Sequence, residues 1–259
     1  LVTPARFDAP AAWRAIDVIS DLHLDAQHTA TFEAWRRHLL NTPADAVLLL
    51  GDIFEVWVGD DARFEGFERE CAQVLREAAA RRFVGFMAGN RDFLVGAELL
   101  ADCGVQRLED PTLLAAFGQT YLLTHGDALC IADVEYQRFR GMVRQPAWQA
   151  ALLAKPLPER RAIARQLREA SEANKAGQSP ADWADVDSDL AAQWLRDAGT
   201  RQMIHGHTHR PGTQTLPRGF VRHVLSDWDL DTPPSRAEVV RITQAGLQRL
   251  HPTDALQPC

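Results

Sequence analysis

Five short apolar runs in this chain each lead straight into an Asp, Asn or His, and that repeated juncture limits the possible folds more than any other feature of the sequence. Ala15–Ile19 (AIDVI) runs into Asp21 and His23, and Ala46–Leu50 (AVLLL) into Gly51-Asp52. Phe83–Met87 (FVGFM) runs into Gly89-Asn90-Arg91-Asp92, and Thr120–Leu123 (TYLL) into His125-Gly126-Asp127. Gln202–Ile204 (QMI) runs into His205-Gly206-His207-Thr208-His209. Short apolar runs rich in β-branched and aromatic residues predict buried strands. Between them, Thr31–Leu40 and Phe67–Arg81 carry apolar residues at three- and four-residue spacing, which predicts amphipathic helices. Strands alternating with helices predict an α/β architecture. Phe220–Leu225 and Ala237–Ile242 read as two further strands, antiparallel and in a second sheet.

In open α/β sheets, ligands bind outside the carboxyl ends of the strands. Five strand ends, mostly with a glycine that permits a tight turn, therefore place Asp21, His23, Asp52, Asn90, His125, His207 and His209 on one rim. Residues two apart at a strand end project to the same face, so Asp21 with His23, and His207 with His209, can each grip one ion. Spacing alone equally allows a His205/His207 pair. Carboxylate, carboxamide and imidazole without thiolate make a hard-to-borderline donor set suited to Mn, Fe or Zn, with Mg compatible. Seven donors exceed what one catalytic ion with an open water position takes, so two ions bridged by a carboxylate fit, with Asp52 as the natural bridge. His28, His38, His223 and His251 carry no motif.

The rest of the sequence bounds the setting. A formal charge of -7 over 259 residues argues against general binding of a nucleic-acid backbone. No apolar run reaches the length of about 18 residues that suggests a membrane span. The opening LVTPARFDAPAAWRA lacks the apolar core of a signal peptide. Cys71, Cys103, Cys130 and Cys259 show no paired spacing and read as reduced thiols of a cytosolic protein, the first three buried. From Asp133 to about Asp197 the strand rhythm stops; the stretch is rich in Ala, Arg, Leu and Gln and reads as a helical insertion divided by Pro146, Pro156, Pro158 and Pro180. The expected organisation is thus a single domain over 1–259, with a core of about 15–132 and 198–250 and an insertion at 133–197. Between Asp133 and Lys175 nine Lys/Arg oppose five Asp/Glu, a local excess that suits an anionic substrate or an anionic membrane surface.

Taken together, D-x-H, G-D-x-x-E (Gly51–Glu55), G-N-R-D, H-G-D and G-H-T-H resemble the motif series of the calcineurin-like metallophosphoesterases, over about Asp17–Pro211. The resemblance implies a two-sheet sandwich flanked by helices. It also implies one ion held by Asp21, His23, Asp52 and His209, and a second by Asp52, Asn90, His125 and His207. Where most members place a histidine able to protonate the leaving group, this chain has Arg91. An arginine stays protonated and cannot act as a general acid, but it can pair with phosphate oxygens. A leaving group that is itself a phosphate has little need of a proton, so Arg91 points to a pyrophosphate substrate.

The longer runs GDIFEVWVGDD, GNRDFL, HGDALC and IHGHTHRP are similar to those of the UDP-2,3-diacylglucosamine hydrolases. That resemblance implies release of UMP and 2,3-diacylglucosamine 1-phosphate in lipid A biosynthesis, usually with manganese. Two cations about 3.5–4 Å apart would activate a shared water for in-line attack on the phosphorus nearer uridine. It further implies a lipid-linked UDP-sugar as partner, a monomer, and a peripheral place on the cytoplasmic face of the inner membrane. The helical lid would carry an acyl pocket, for which Val134, Phe139, Met142, Val143, Trp148, Leu152 and Leu153 are candidates; packing of the insertion onto the core is the alternative. Substrate contacts map onto Asn90, Arg91, Asp133, Ser171 and His207, with Asn174 and Lys175 as the nearest matches to two further polar positions whose spacing differs here. Asp127 is expected to orient His125 or a neighbouring ligand. A nucleotide pyrophosphatase or phosphodiesterase with a soluble substrate, and a non-catalytic binding scaffold, are the competing readings.

Overall fold

Strict alternation along the strands explains how one chain builds four layers. In the strand Ala46–Leu50, Ala46, Leu48 and Leu50 face one apolar cluster while Val47 and Leu49 face another. A strand apolar on both faces has to be covered on both. The computed structural model describes residues 2–175 and 184–258, with the side chains of 170–175 outside the description.

Twelve strands fall into two six-stranded sheets. The first sheet contains β2 (Ala15–Ile19), β3 (Ala46–Leu50), β4 (Phe83–Met87) and β5 (Gln106–Leu108), all parallel, then β11 (Val239–Thr243) and β12 (Gly246–Leu250) in antiparallel pairing. The second runs β1 (Ala5–Asp8), β6 (Thr112–Ala116), β7 (Gln119–Thr124), β8 (Gln202–His205), β10 (Val221–Val224) and β9 (Gly212–Thr215). Between the sheets lie Ile16, Leu48, Leu50, Tyr121, Leu123 and Ile204. On the outer face of the first sheet, α1 (Thr29–Asn41), α2 (Gly66–Ala79) and α3 (Ala97–Cys103) bury Trp35, Leu39, Leu75 and Leu99 against Val47, Leu49 and Phe86. On the outer face of the second, α7 (Ser188–Asp197) sets Ala191 and Leu195 against Leu122 and Met203.

The five anticipated strands are all present, because each is apolar enough to be buried on both faces. Placing 220–225 and 237–242 together in a second sheet needs correction. β10 pairs parallel with β8, while β11 pairs antiparallel with β2, so the two belong to different sheets. Each closes the open side of a sheet already started, which the apolar run of either strand does not disclose.

Asp133–Lys175 forms α4 (Val134–Val143), α5 (Pro146–Leu153) and α6 (Leu157–Lys175). Pro146 opens α5 and Pro156 precedes α6; Pro158 sits in the first turn of α6, where a missing N–H costs nothing. Pro180 lies outside the described residues. α7 differs from these three because it packs on the second sheet as the crossover helix leading into β8. Cys71, Cys103 and Cys130 are buried free thiols; Cys259 lies outside the described residues.

A buried ion pair on the helix-covered face of the first sheet joins β2 to β11. Arg241 of β11 stands opposite Asp17 of β2 and donates from Nε and Nη2 to its two oxygens at 2.7 and 2.9 Å. Thr42 donates to Asp17 Oδ2 at 2.6 Å, and His38 Nε2 stands 3.3 Å from it. Burial works to raise the carboxyl pKa, but the Arg241 and His38 contacts prevail and hold it below 3.8. The pair's contribution is therefore present above the unfolded-state pKa and lost as pH falls through the folded one. Removing one partner of such a pair leaves an uncompensated buried charge. Arg241→Met is expected to lower stability by about 3–5 kcal/mol, read as a lower urea midpoint at unchanged slope. A loss below about 1 kcal/mol would mean that the pair behaves as a surface ion pair does.

Candidate metal centre

The parallel strands β2, β3 and β4 of one sheet and β7 and β8 of the other end on the same rim, and there the backbone takes an uncommon shape. Outside glycine, the described residues with positive φ are Asp21, His23, Asp52, Phe117, His207, His209 and Arg218. Five of these seven are residues singled out from the sequence as ligands. Asp and His enter the left-handed region more readily than most side chains, yet each such residue still costs about 1–3 kcal/mol. The turns hold because main-chain bonds lock them together: Asp21 N donates to Gly51 O, His23 N to Asp52 O and Gly206 N to His125 O, each at 3.0 Å.

At two of these junctures glycine supplies room rather than flexibility. A Cβ on Gly206 would lie 2.1 Å from Asp21 Oδ2, and one on Gly89 would lie 2.2 Å from Asp52 Oδ1. Neither of these two has positive φ, and there close approach by a carboxylate is the reason, whereas Gly51 (φ 87°) and Gly126 (φ 109°) make the tight turns expected from the sequence.

All seven candidate side chains meet. Asp21, His23 and His209 form one group whose donor atoms lie within 4.8 Å of one another, and Asp21, Asp52 and His125 form a second. Asn90 Oδ1 lies 3.0 Å from His125 Nε2 and 2.8 Å from His207 Nδ1, which brings the remaining two into the cluster. Asp21 is the carboxylate common to both groups, while Asp52 stands with Asp21 and His125, its Oδ1 at 3.6 Å from His125 Nε2. His205 is excluded. Its ring is fully buried in β8 with Nδ1 2.8 Å from Gly206 O, and burial pushes its pKa down to about 4. That leaves His207 and His209 facing the rim.

The donor chemistry fits divalent cations. His23 Nε2 and His209 Nε2 face each other at 3.3 Å, where at most one can carry a proton toward the other. Behind three of the four rings stands an acceptor: Leu50 O at 2.9 Å from His125 Nδ1, Glu55 Oε2 at 3.0 Å from His23 Nδ1, and Asp227 Oδ2 at 3.6 Å from His209 Nδ1. Such backing turns the far nitrogen's lone pair toward an ion. Burial lowers the His125 pKa, but the charges of Asp52, Asp21 and Asp127 outweigh it and push it up to about 9, which reports a strongly negative pocket. Beside it, burial and the neighbouring His125 bring His207 down to about 3.

The remaining predicted contacts separate by location. Arg91 lies beside the cluster, its backbone N donating to Asp52 Oδ1 at 2.8 Å. Asp133 caps α4, its Oδ1 accepting from Tyr136 N at 3.0 Å. The side chains of Ser171, Asn174 and Lys175 lie outside the described residues.

Asp127 does something other than orient His125. Its Oδ2 accepts from Tyr136 Oη at 2.5 Å and Arg140 Nε at 2.8 Å, with Arg144 Nη2 at 3.8 Å. Arg144 itself donates to Gly89 O at 2.8 Å. Three residues of α4 and its C-cap thus converge on the H-G-D loop, and the motif's acid anchors the insertion. Glu55, Asp92, Tyr136, Arg140, Arg144 and Asp227 had no assigned role from sequence, although G-D-x-x-E and G-N-R-D contain the first two. Asp92 accepts from Gly89 N at 2.7 Å and Ile53 N at 2.8 Å and so splices the two loops; burial and the charge of Asp52 raise its pKa to about 6.

The model of the calcineurin-like phosphoesterase family matches residues 15–211, which takes in every one of these strand ends. The chain is 45% identical over 221 residues to UDP-2,3-diacylglucosamine hydrolase of Chromobacterium violaceum, covering 83% of this chain and 90% of that one. The chain belongs to the UDP-2,3-diacylglucosamine hydrolase family of calcineurin-like phosphoesterases. Enzymes of the same name from Bordetella pertussis and Ralstonia nicotianae are 44% and 40% identical, over 88% and 98% of this chain and 92% and 97% of theirs. The phosphoesterase rim and its insertion therefore lie in one continuous family match.

The Asp127 anchor has a direct test. Hydrogen bonds to a charged group contribute about 1.5–3 kcal/mol each, so Asp127→Asn should expose α4 to local opening about tenfold or more often. Limited trypsin digestion is expected to cut at Arg138–Arg144 correspondingly faster than in the wild type. Equal cutting rates would show that other contacts hold the helix.

Proposed function

We propose that this phosphoesterase hydrolyses the pyrophosphate bond of UDP-2,3-diacylglucosamine, yielding UMP and 2,3-diacylglucosamine 1-phosphate. The observation that carries this reading is the gathering of Asp21, His23, Asp52, Asn90, His125, His207 and His209 on one rim with Arg91 beside them, in a chain whose relatives at 40–45% identity bear that enzyme's name. Two divalent cations are assigned to these seven side chains, manganese in first place for the oxygen/nitrogen donor set. When bound, such ions polarise phosphoryl oxygens and lower the pKa of water.

The chain's own residues do the rest. The guanidinium of Arg91 offers five donors to non-bridging phosphate oxygens. It cannot supply a proton, and departure of a phosphate requires none. Asn90 precedes Arg91 in the chain and lies 2.8 Å from His207 Nδ1, and these two serve as further phosphate contacts. Asp133, Ser171, Asn174 and Lys175 are assigned to the rest of the substrate. The insertion, 133–197 with α4–α6 nearest the rim, covers the lipid. Val134, Met142, Leu153 and Leu167, all on α4–α6, are among the large apolar side chains left exposed. Of the proposed acyl-pocket residues, Val143 and Leu152 are already buried and serve packing, Leu152 in the helix-face core. No helix of the described residues is long and apolar enough to cross a membrane. These exposed apolar side chains support peripheral docking on an inner-membrane surface, while Arg140, Arg144, Arg160, Arg161 and Arg168 of the basic excess are engaged with the core.

Hydrolysis of UDP-2,3-diacylglucosamine in detergent micelles, after metal stripping and addition of Mn²⁺, is expected to release UMP, with deacylated UDP-glucosamine turned over far more slowly. Equal rates on both would remove the lipid from the assignment. Arg91→Ala should lower kcat/KM for the acylated substrate by more than about tenfold. A smaller fall would mean that the arginine does not stabilise charge on the reacting phosphate.

A further inference from the structure

Glu55 closes the G-D-x-x-E motif, and apart from its place behind His23 it has no part in the reaction outlined above. Its side chain is almost wholly buried, with the residue 8% exposed. Its backbone is fixed as well, since its N–H donates to Leu24 O at 3.0 Å. Three groups from three separate segments converge on its carboxylate. His23 Nδ1 lies 3.0 Å from Oε2, while Arg91 Nη1 lies 3.5 Å and Arg168 Nε 3.3 Å from Oε1. His23 follows β2, Arg91 follows β4, and Arg168 belongs to α6 of the insertion.

We propose that Glu55 is a positioning residue that sets the imidazole of His23 for its ion and the guanidinium of Arg91 for the phosphate, with the insertion helix docked on the same carboxylate through Arg168. This rests on the two-ion phosphoesterase reading above. Each half follows from the geometry. An imidazole with Nδ1 turned to a carboxylate presents Nε2 on its far side, and His23 Nε2 is the atom that faces His209 Nε2 at 3.3 Å. The approach of Nδ1 to Glu55 is oblique rather than linear. The charge of Glu55 therefore matters more than the direction of one bond.

Arg91 is held at both ends, its backbone by Asp52 Oδ1 at 2.8 Å and its guanidinium by Glu55. A guanidinium has donors to spare, so it can keep one on Glu55 and give others to a phosphate. Without that carboxylate the long side chain would have to be ordered by the substrate itself. Docking of α6 has independent supports on the same loop: Arg160 donates to Val58 O and pairs with Asp61, and Arg161 pairs with Glu65 at 2.7 Å and Glu68 at 3.1 Å. Loss of Glu55 should therefore disturb the ion and the phosphate arginine while leaving the helix in place.

Glu55→Gln keeps the shape and removes the charge. Metal-stripped wild type and Glu55→Gln are titrated with Mn²⁺ by calorimetry, and kcat and KM are then measured at saturating Mn²⁺. The wild type is expected to bind two ions. The variant should bind one of them about 10–100-fold more weakly and the other unchanged, with KM for the acylated substrate raised. Wild-type affinity for both ions in Glu55→Gln would overturn the proposal and leave the two-ion reading intact; a wild type that binds fewer than two ions would overturn both. Should Glu55→Gln fail to fold, nitrogen-15 NMR of histidine-labelled, zinc-loaded wild type decides. Coordination of His23 through Nε2 with a retained Nδ1 proton is expected, and coordination through Nδ1 would refute the proposal.

Discussion

Mutual repulsion among crowded donors is the constraint on which the rest of this structure depends. Asp21 and Asp52 are buried within reach of each other and of His125, and two further imidazoles face each other through nitrogen lone pairs. A pocket of that kind is unfavourable unless cations enter it, because buried charge without partners costs several kcal/mol. The fold brings in other unfavourable features to keep the donors there. Five residues are held in the left-handed region, and two glycines leave no space for a β-carbon beside the carboxylates. Two sheets packed on a common apolar layer give those turns a rigid base, since each turn continues a strand buried on both faces. Strain of this sort persists only where the surroundings over-determine it.

The insertion is tied to the same rim by charge rather than by an apolar seam alone. Asp127 gathers Tyr136 and Arg140, and Arg144 reaches Gly89 O next to Asn90. On the other side, Arg160 and Arg161 grip the loop between β3 and α2. The loops that present ligands are thus also the loops that hold the cover. Packing contributes at one edge, where Phe93 meets Trp148 with ring centroids 6.2 Å apart. A change in this cover should therefore reach Asn90 and Arg91 through Gly89 and Phe93, and His23 through Arg168 and Glu55.

Much of this was legible in the sequence, for a physical reason. A strand buried on both faces must be a continuous apolar run, and a ligand at its end must be polar, so the boundary is sharp in AIDVI–S–D and AVLLL–G–D. Edge strands lack that contrast. β1, β5, β9 and β12 border the two sheets, carry residues such as Arg6, Gln106, Gln214 and Gln248, and went unread. The sheet to which β10 belongs was equally hidden, because its partner β8 is fixed by packing and not by any local pattern. Among site residues, the seven rim donors stand in motifs with glycine, whereas Asp227 stands alone and meets His209 only in three dimensions. Asp127 illustrates a subtler limit. Its place in H-G-D marked it as important, but its partners lie 9 and 13 positions away on a helix whose docking the motif does not encode.

The geometry of the rim suits two cations. Crystals grown with Mn²⁺ and measured on both sides of the manganese absorption edge test it without any substrate. Two anomalous peaks are expected among the seven donors, one against Asp21, His23 and His209 and one against Asn90, His125 and His207, with a carboxylate shared between them. A single peak, or two peaks with His207 or His209 turned away and His205 in their place, would contradict it.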